Sequence, residues 1–429
     1  MRRILPMTAC GERRDLLWTH LSLLVLLSFC AYLAGRRGIA AWYFRQGSPS
    51  AIQTALAWDP DNPRYYDVWA TATHMYADTE NVNDVVALYQ RAASLSSHDA
   101  QLWADLGSGY DWAGRATDSF HAFEHARDLS PRSPDINWRL ANFCIRTGRT
   151  TEGLRALRAV LEGDSSSPTR VFALAANATR DRQAVLEMLP PRAPIFFSYI
   201  SFAIARGDIV QAEQAWARIL QMNLSFEPQE AVPYLDALVQ HRELAQLAEA
   251  WSFLKERFLK ELPPANVGSN LITNGSFEFD IFNGGLDWHV IPTEGAMVGL
   301  DAAAGLDGGR ALRITFDGSR NLDYGHVFQY VLVRPSTRYQ FSGHVRTLGI
   351  STDSGVKFQV CDAYHPVDLF ASTENVVGTR VWSEERAEFT TREDTHLLLI
   401  RVVRPMSLRL DNKIAGTVWV DGLSLRSDE

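Results

Sequence analysis

The spacing of apolar residues changes once along the chain, near residue 262. Before this point apolar residues recur every three or four positions, as in LWADLGSGYDWAGRATDSFHAFEHARDLSP, which is typical of amphipathic helices. Beyond it, runs such as ALRITF, HVFQYVLV and RYQFSGHVR alternate apolar and polar residues between clusters of Gly, Pro, Asp and Ser. The pattern predicts an α-helical part, a linker at residues 263–270, and an antiparallel β-sandwich.

A stretch without Asp, Glu, Lys or Arg, from Leu16 to Gly35, precedes the helical part. About 20 apolar residues in a helix suffice to cross the core of a bilayer. Arg36 follows at once and a small-residue cleavage site is poorly formed, so an uncleaved membrane anchor is favoured over a secretory signal. We expect residues 1–15 in the cytoplasm, a transmembrane helix at 16–35, and the folded domains on the extracytoplasmic side.

A repeat runs through the helical part. Trp69 and Trp103 lie 34 residues apart, and weaker copies of the pattern follow further along the chain. Residues 45–262 therefore resemble the tetratricopeptide-repeat family. The resemblance implies an α-solenoid whose groove binds a protein or peptide. The positions that match the repeat are Trp103, Leu106, Gly107, Tyr110, Gly114, Phe123, Ala126 and Pro131.

Composition and charge exclude several function classes. The net charge is −8 and no Lys/Arg run follows one face, which argues against nucleic acid as a partner. The four cysteines are scattered without metal-binding spacing, and buried free thiols are their favoured interpretation. No GxSxG elbow, HExxH helix, phosphate-binding loop or dinucleotide fingerprint occurs. The chain is therefore predicted not to be an enzyme.

The C-terminal part, residues 271–429, opens with NLITNGSFEFD and closes with GTVWVDGLSL. With Trp288 and the runs between them, these motifs resemble the jelly-roll carbohydrate-binding modules of galactose-binding-like architecture. The resemblance implies that the first and last strands lie together and hold a structural calcium. Glu278 and Asp421 match its ligand positions, and calcium prefers such carboxylate oxygens. The alternative is that both carboxylates only accept hydrogen bonds from turn backbone.

Strand alternation indicates a sugar-binding face. In RYQFSGHVR, Tyr339 and Phe341 face the core, which turns the residues between them to the opposite side. Amide and guanidinium groups that bind hydroxyls, beside an aromatic ring that stacks on a sugar, suit glycan recognition. We expect Tyr364 to supply that ring. The predicted carbohydrate-binding residues are Gln329, Gln340, His344, Arg346, Gln359, Tyr364 and Arg401.

These features together predict a membrane-anchored, non-catalytic accessory or scaffold protein of the cell envelope. It would bind a protein partner through its repeats and glycan through its jelly roll, in the assembly or export of a surface polysaccharide. The alternative is a pure protein-interaction scaffold whose jelly roll binds no glycan. A glycan-active enzyme is less favoured, because no local signature places two carboxylates across a sugar bond.

Overall fold

A computed structural model describes residues 9–76, 82–163, 166–261 and 270–427, which form two compact units, Met1–Tyr199 and Ile200–Glu429. The predicted linker at 263–270 lies outside the described residues except for its last position. The helices of the first unit are α1 (Ala9–Phe44), α2 (Pro49–Trp58), α3 (Pro63–Tyr76), α4 (Val82–Leu95), α5 (Ala100–Trp112), α6 (Ala116–Leu129), α7 (Pro134–Arg146), α8 (Thr150–Gly163), α9 (Pro168–Ala178) and α10 (Arg182–Met188).

The helices of the first unit pair in chain order, as a tetratricopeptide solenoid requires. Helix α3 pairs with α4, α5 with α6, and α7 with α8. Gly107 lies against Phe123 so closely that a Cβ there would be 2.9 Å from the ring. Gly114 and Gly148 occupy equivalent turns with φ of 71° and 79°, a region that glycine adopts without steric cost. The predicted solenoid is confirmed.

The apolar N-terminal segment belongs to one long helix. Within α1, Trp18–Phe44 is apolar enough and long enough to cross a membrane. The last turns of the same helix already belong to the solenoid, because Ala40 is buried with Ala55 and Tyr65. The Arg36 guanidinium also donates hydrogen bonds of 2.8 and 3.1 Å to the carbonyl of Trp58. Helical pairing therefore begins inside α1, ahead of the predicted start at residue 45.

Helix α11 (Ala193–Ala205) crosses the boundary between the units, and the rest of the second unit combines helices with the sandwich. Its helices are α12 (Ile209–Gln221), a short 3-10 helix at Pro228–Ala231, α13 (Val232–His241) and α14 (Leu244–Phe258). Its strands are β1 (Trp288–Val290), β2 (Ala296–Asp301), β3 (Ala311–Asp317), β4 (Tyr324–Leu332), β5 (Arg338–Ile350), β6 (Lys357–Asp362), β7 (Leu369–Ser372), β8 (Gly378–Thr390), β9 (Leu397–Arg404) and β10 (Ala415–Ser427).

The strands form two antiparallel sheets that enclose the sandwich core. The sheet of order β1-β4-β9-β6-β7 is called the front sheet below, and the sheet of order β2-β3-β10-β5-β8 the back sheet. Tyr339, Phe341 and Val345 of β5 are buried in the core, as the alternation predicts. The predicted jelly-roll sandwich is confirmed.

The two bracketing motifs lie side by side. The amide of Leu271 donates to the carbonyl of Leu425 at 2.9 Å, and the amide of Leu423 donates to Gly275 at 2.9 Å. A Cβ at Gly275 would lie 2.2 Å from the carbonyl oxygen of Leu423, so this close approach requires glycine. The NLITNG segment therefore runs along β10, as the resemblance implies.

Candidate functional site

The predicted carbohydrate-binding residues do not share one face of the sandwich. Strands β4, β6 and β9 belong to the front sheet, whereas β5 belongs to the back sheet. The prediction of a single face is therefore wrong, because alternation gives the two sides of each strand but not which strands become neighbours. The front sheet carries Gln329, Gln359 and Arg401, the back sheet carries Gln340, His344 and Arg346, and Tyr364 follows β6.

On the back sheet, Arg346 lies between two tryptophan rings. Its guanidinium carbon is 4.2 Å from the centre of the Trp419 ring and 5.3 Å from that of Trp382. Such cation–π contacts hold the guanidinium over the rings. The ring faces towards Arg346 are thus occupied within the protein, which makes this sheet the less suitable platform for a sugar.

Gln329 points into the sandwich, contrary to the prediction that it faces outward. It is fully buried, and its amide accepts from the Thr273 N–H at 3.0 Å and donates to the Thr273 carbonyl at 2.8 Å. A buried amide is stable only with such partners. Gln329 therefore fastens the NLITNG segment to the front sheet. The outward residues of β4 are its neighbours Phe328 and Tyr330.

Tyr364 holds helix α13 against the sandwich. Its hydroxyl donates to the carbonyl of Val239 at 2.9 Å, and the guanidinium of Arg242 lies 4.5 Å from the ring centre. Burial raises the pKa of Tyr364 to about 12. The ring that the sequence suggested as an open sugar platform is thus covered by Arg242.

A glycine pair completes the contact between the sandwich and α13–α14. A Cβ on Gly284 would lie 2.8 Å from Val232, and one on Gly285 would lie 2.7 Å from the Trp251 ring. Phe282 packs on the same ring with centroids 5.6 Å apart. The NGGLDW segment that leads into β1 therefore fits closely against both helices, and only glycine allows that approach.

One row of outward residues crosses the front sheet. The strand register places His289 of β1 beside Phe328 of β4, Phe328 beside Arg401 of β9, and Arg401 beside Gln359 of β6. The row joins two aromatic rings to a guanidinium and an amide. Of these, the sequence analysis singled out Gln359 and Arg401 and placed them on one face, whereas it did not single out His289 and Phe328. The sequence signal for Phe328 was the alternation of aromatic and other residues in HVFQYV. The prediction turned Gln329 outward and the aromatic residues inward, whereas the structure has the opposite.

Half of this row borders an open cleft of ≈ 360 Å³, called the open cleft below. The buried Nε of Arg401 has no hydrogen-bond partner among the described residues. Because this atom is closed off from solvent, the part of Arg401 that lines the cleft is the rest of its guanidinium. The cleft is lined by Asp323, Tyr324, Gly325, His326, Gln359, Arg401, Val403 and Pro405.

The two carboxylates predicted to bind calcium bracket the loop before β3. The Glu278 carboxylate accepts from the Arg310 N–H at 3.0 Å, and the Asp421 carboxylate accepts from the Leu306 N–H at 2.7 Å. A Cβ on Gly309 would lie 2.1 Å from Glu278, so glycine leaves room for the carboxylate. Burial raises the pKa of Asp421, and the charge of Glu278 adds to the shift. Each carboxylate thus accepts a hydrogen bond from the backbone of this loop, which is the alternative role, and a calcium ion would need further oxygen ligands besides these two.

A polar line crosses alternate helices of the solenoid. Asp67 of α3, Asp105 of α5 and Arg139 of α7 interact in sequence, and Arg139 donates to Asp105 at 2.5 Å across 34 residues. Burial together with the Asp105 carboxylate raises the pKa of Asp67 to about 7. The 34-residue spacing of Asp105 and Arg139 was the sequence signal for this pair. Within residues 9–76, 82–163, 166–261 and 270–427, no cluster of three or more potential metal ligands occurs.

Comparisons with known proteins give matches among solved structures alone. No protein-family model matches the sequence, and no curated protein matches it. Among solved structures, one described as "CBM4 structure and function" is 18% identical, covering 37% of this chain and 99% of that chain at a TM-score of 0.29. The MamA protein is 13% identical, covering 46% and 98% at 0.32. YrrB, described as a TPR protein with an unusual peptide-binding site, is 17% identical, covering 41% and 93% at 0.27.

Proposed function

We propose that this chain is a non-catalytic accessory protein that binds glycan on its front sheet and a protein partner through its solenoid. The observation that carries the proposal is the row of His289, Phe328, Arg401 and Gln359, whose last two members line the open cleft. Aromatic rings suit the C–H face of a sugar, and guanidinium and amide groups suit its hydroxyls.

A binding role fits the open cleft better than a catalytic role. The lining of the open cleft includes one carboxylate, Asp323. Glycosidases generally need two carboxyl groups, about 5–9.5 Å apart, on either side of the scissile bond. The rival proposal is a scaffold whose sandwich binds no glycan, with the Asp67–Asp105–Arg139 line on the peptide-binding surface of the solenoid.

The glycan site is tested by replacing Arg401 with Met, which keeps the aliphatic stem and removes the donors. An array of purified polysaccharides would first identify a ligand for the full chain in detergent, and calorimetry would then compare the variants. We expect Arg401→Met to weaken binding by about 10-fold or more, because a charged hydrogen bond contributes about 1.5–3 kcal/mol.

The matched control is Arg346→Met on the back sheet, which should leave glycan affinity unchanged. Equal loss in both variants would move the site away from the open cleft. Absence of binding to every polysaccharide would favour the scaffold proposal.

We also propose that α1 anchors the protein in a membrane of the cell envelope, where the protein serves the assembly or export of a surface polysaccharide. The support is the apolar part of α1 from Trp18 to Gly35, all of which is exposed. With residues 1–15 in the cytoplasm and residues 38–429 outside, protease added to intact spheroplasts should digest the domains after α1. Complete protection of those domains, with digestion after lysis, would contradict this orientation.

Calcium held by Glu278 and Asp421 is a further part of the proposal. The ion would link the segment that opens the sandwich, through Glu278, to its last strand β10, through Asp421, beside the loop before β3. Ligand linkage predicts that chelation lowers the unfolding free energy by about 2.7 kcal/mol when calcium is at 100 times its Kd. Calorimetric melts of the full chain with and without chelator measure this change. The Asp421→Ala variant should melt at the same temperature in both conditions, and an unresponsive wild type would leave only the hydrogen-bonding role.

A further inference from the structure

The front sheet has a second cleft, which helix α13 and the sandwich build together. Its volume is ≈ 480 Å³, within the usual range for small-molecule sites. It is called the helix cleft below. Neither predicted domain contains it alone, because one wall comes from α13 and the other from β1 and β4. It is lined by Val232, Asp236, Val239, Gln240, Asn283, His289, Val290, Ile291, Pro292, Phe328 and Tyr330.

The sandwich wall of the helix cleft is aromatic. The rings of His289 and Phe328 stack with centroids 4.8 Å apart and 8° between their planes. Tyr330 lies edge-on to both, at 5.5 Å from each centroid. The Nε2 of His289 is 3.0 Å from the carbonyl of Gly285, which fixes the imidazole in the docked segment. These contacts fix the three rings as one aromatic surface. Two of its members, His289 and Phe328, also belong to the row that reaches the open cleft.

The helix wall carries a half-buried carboxylate. Asp236 lies near the middle of α13 and lines the cleft opposite the aromatic wall, with His289 as its electrostatic neighbour. Burial raises the pKa of this carboxyl, and the nearby His289 opposes the shift. Removing a carboxylate from water costs free energy unless a positive charge or several donors compensate. The exposed amide of Gln240 stands on the same helix and adds a hydrogen-bonding group.

We infer that the helix cleft binds a sugar residue with a free amino group, at one end of the glycan that the open cleft holds. The inference rests on the proposed glycan-binding function of the front sheet. The ammonium group would donate to Asp236, the C–H face of the ring would lie on the aromatic wall, and hydroxyls would reach Gln240. An ammonium group beside aromatic rings gains a cation–π attraction in addition to the charged hydrogen bond. N-acetylation would remove the charge and enlarge the group.

Two oligosaccharides that differ only in acetylation test the inference. The probes are the β-1,4-linked tetramer of glucosamine and the matched tetramer of N-acetylglucosamine, titrated calorimetrically into the full chain in detergent. We expect the amino form to bind about tenfold more tightly or better, as the loss of one charge-assisted hydrogen bond would predict. Asp236→Asn should abolish the preference, while Asp236→Glu, which keeps the charge, should retain part of it.

The outcomes separate this inference from the proposed function. If Asp236→Asn keeps the full preference for the amino form, or if the wild type shows no preference, the helix cleft does not bind the amino group through Asp236. If Arg401→Met leaves the affinity of a glycan ligand unchanged, the open cleft is not its site. Ligand-observed NMR with glucosamine itself tests the helix cleft when no oligosaccharide binds. Saturation transfer that Asp236→Asn removes supports the inference, and absence of transfer to the wild type overturns it.

Discussion

Replacing Arg404 with Met should lower the unfolding free energy of the sandwich by about 3 kcal/mol or more, since each buried acceptor left unpaired costs about 1–3 kcal/mol. Arg404 is the last residue of β9 and is fully buried. It ties together three loops at one end of the sandwich. Its guanidinium donates at 2.7–3.1 Å to the carbonyls of Leu322, Ser354 and Asn412 and to the side chains of Asn321 and Thr352.

The matched control is Arg338→Met. Arg338 is mostly exposed and pairs with Glu388 on the surface of the back sheet. Surface ion pairs contribute about 0–1 kcal/mol, so this variant should melt close to the wild type. Arg404→Lys keeps the charge but cannot reproduce the planar array of donors, and it should also be destabilised. Calorimetry measures the melting temperature of the three variants and the wild type. If Arg404→Met melts at the wild-type temperature, the structural role of Arg404 is contradicted.

The sequence does not reveal the role of Arg404. In LLLIRVVR the arginines Arg401 and Arg404 differ by three positions and have the same side chain, yet Arg401 faces a cleft and Arg404 is buried. The acceptors of Arg404 come from segments 50 to 83 residues earlier and from Asn412. Long-range hydrogen bonds of this kind depend on the path of the loops, which local periodicity does not encode.

The solenoid could be predicted well because its contacts repeat at a fixed spacing. Gly107 and Phe123 meet inside one hairpin, so the repeat that the sequence shows is also the repeat of the packing. Prediction from periodicity is less successful at the junction with the apolar N-terminal segment. The continuous helix α1 serves both parts, and no Gly or Pro between residues 16 and 37 other than Gly35 marks a boundary.

The face of β4 shows why alternation alone misplaced part of the site. In HVFQYVLV, the rule that polar residues face outward assigns Gln329 to the surface and the aromatic residues to the core. The structure has the reverse, because Gln329 finds both of its partners in the backbone of Thr273. The outward aromatic rings are in turn covered in part by α13. Contacts with the distant segments 232–241 and 270–280 therefore determine which side of β4 is buried in the core. These contacts cannot be read from the sequence of the strand itself.

The helix cleft exists only while α13 is docked on the sandwich, and Gly285 is the residue whose change should test this most directly. Gly285 has φ of 59°, a left-handed conformation that costs other residues about 1–2 kcal/mol. An added Cβ would also lie 2.7 Å from Trp251 and 2.9 Å from Leu235, where overpacking typically costs about 1–3 kcal/mol. The Gly285→Ala variant should therefore separate α13 and α14 from the sandwich while each keeps its own fold.

Hydrogen exchange measures that separation. In Gly285→Ala, amides of residues 232–258 and of the segment 282–289 should exchange faster than in the wild type, while those of β5 and β10 at the core of the back sheet should stay protected. The matched control is Gly299→Ala in β2, where no atom lies within 4 Å of an added Cβ. The variant should also lose the preference for the amino form of the tetramer and keep binding in the open cleft. If both segments of Gly285→Ala exchange at the wild-type rate, the glycine pair does not hold α13 in place. Other contacts between α13 and the sandwich would then maintain the helix cleft.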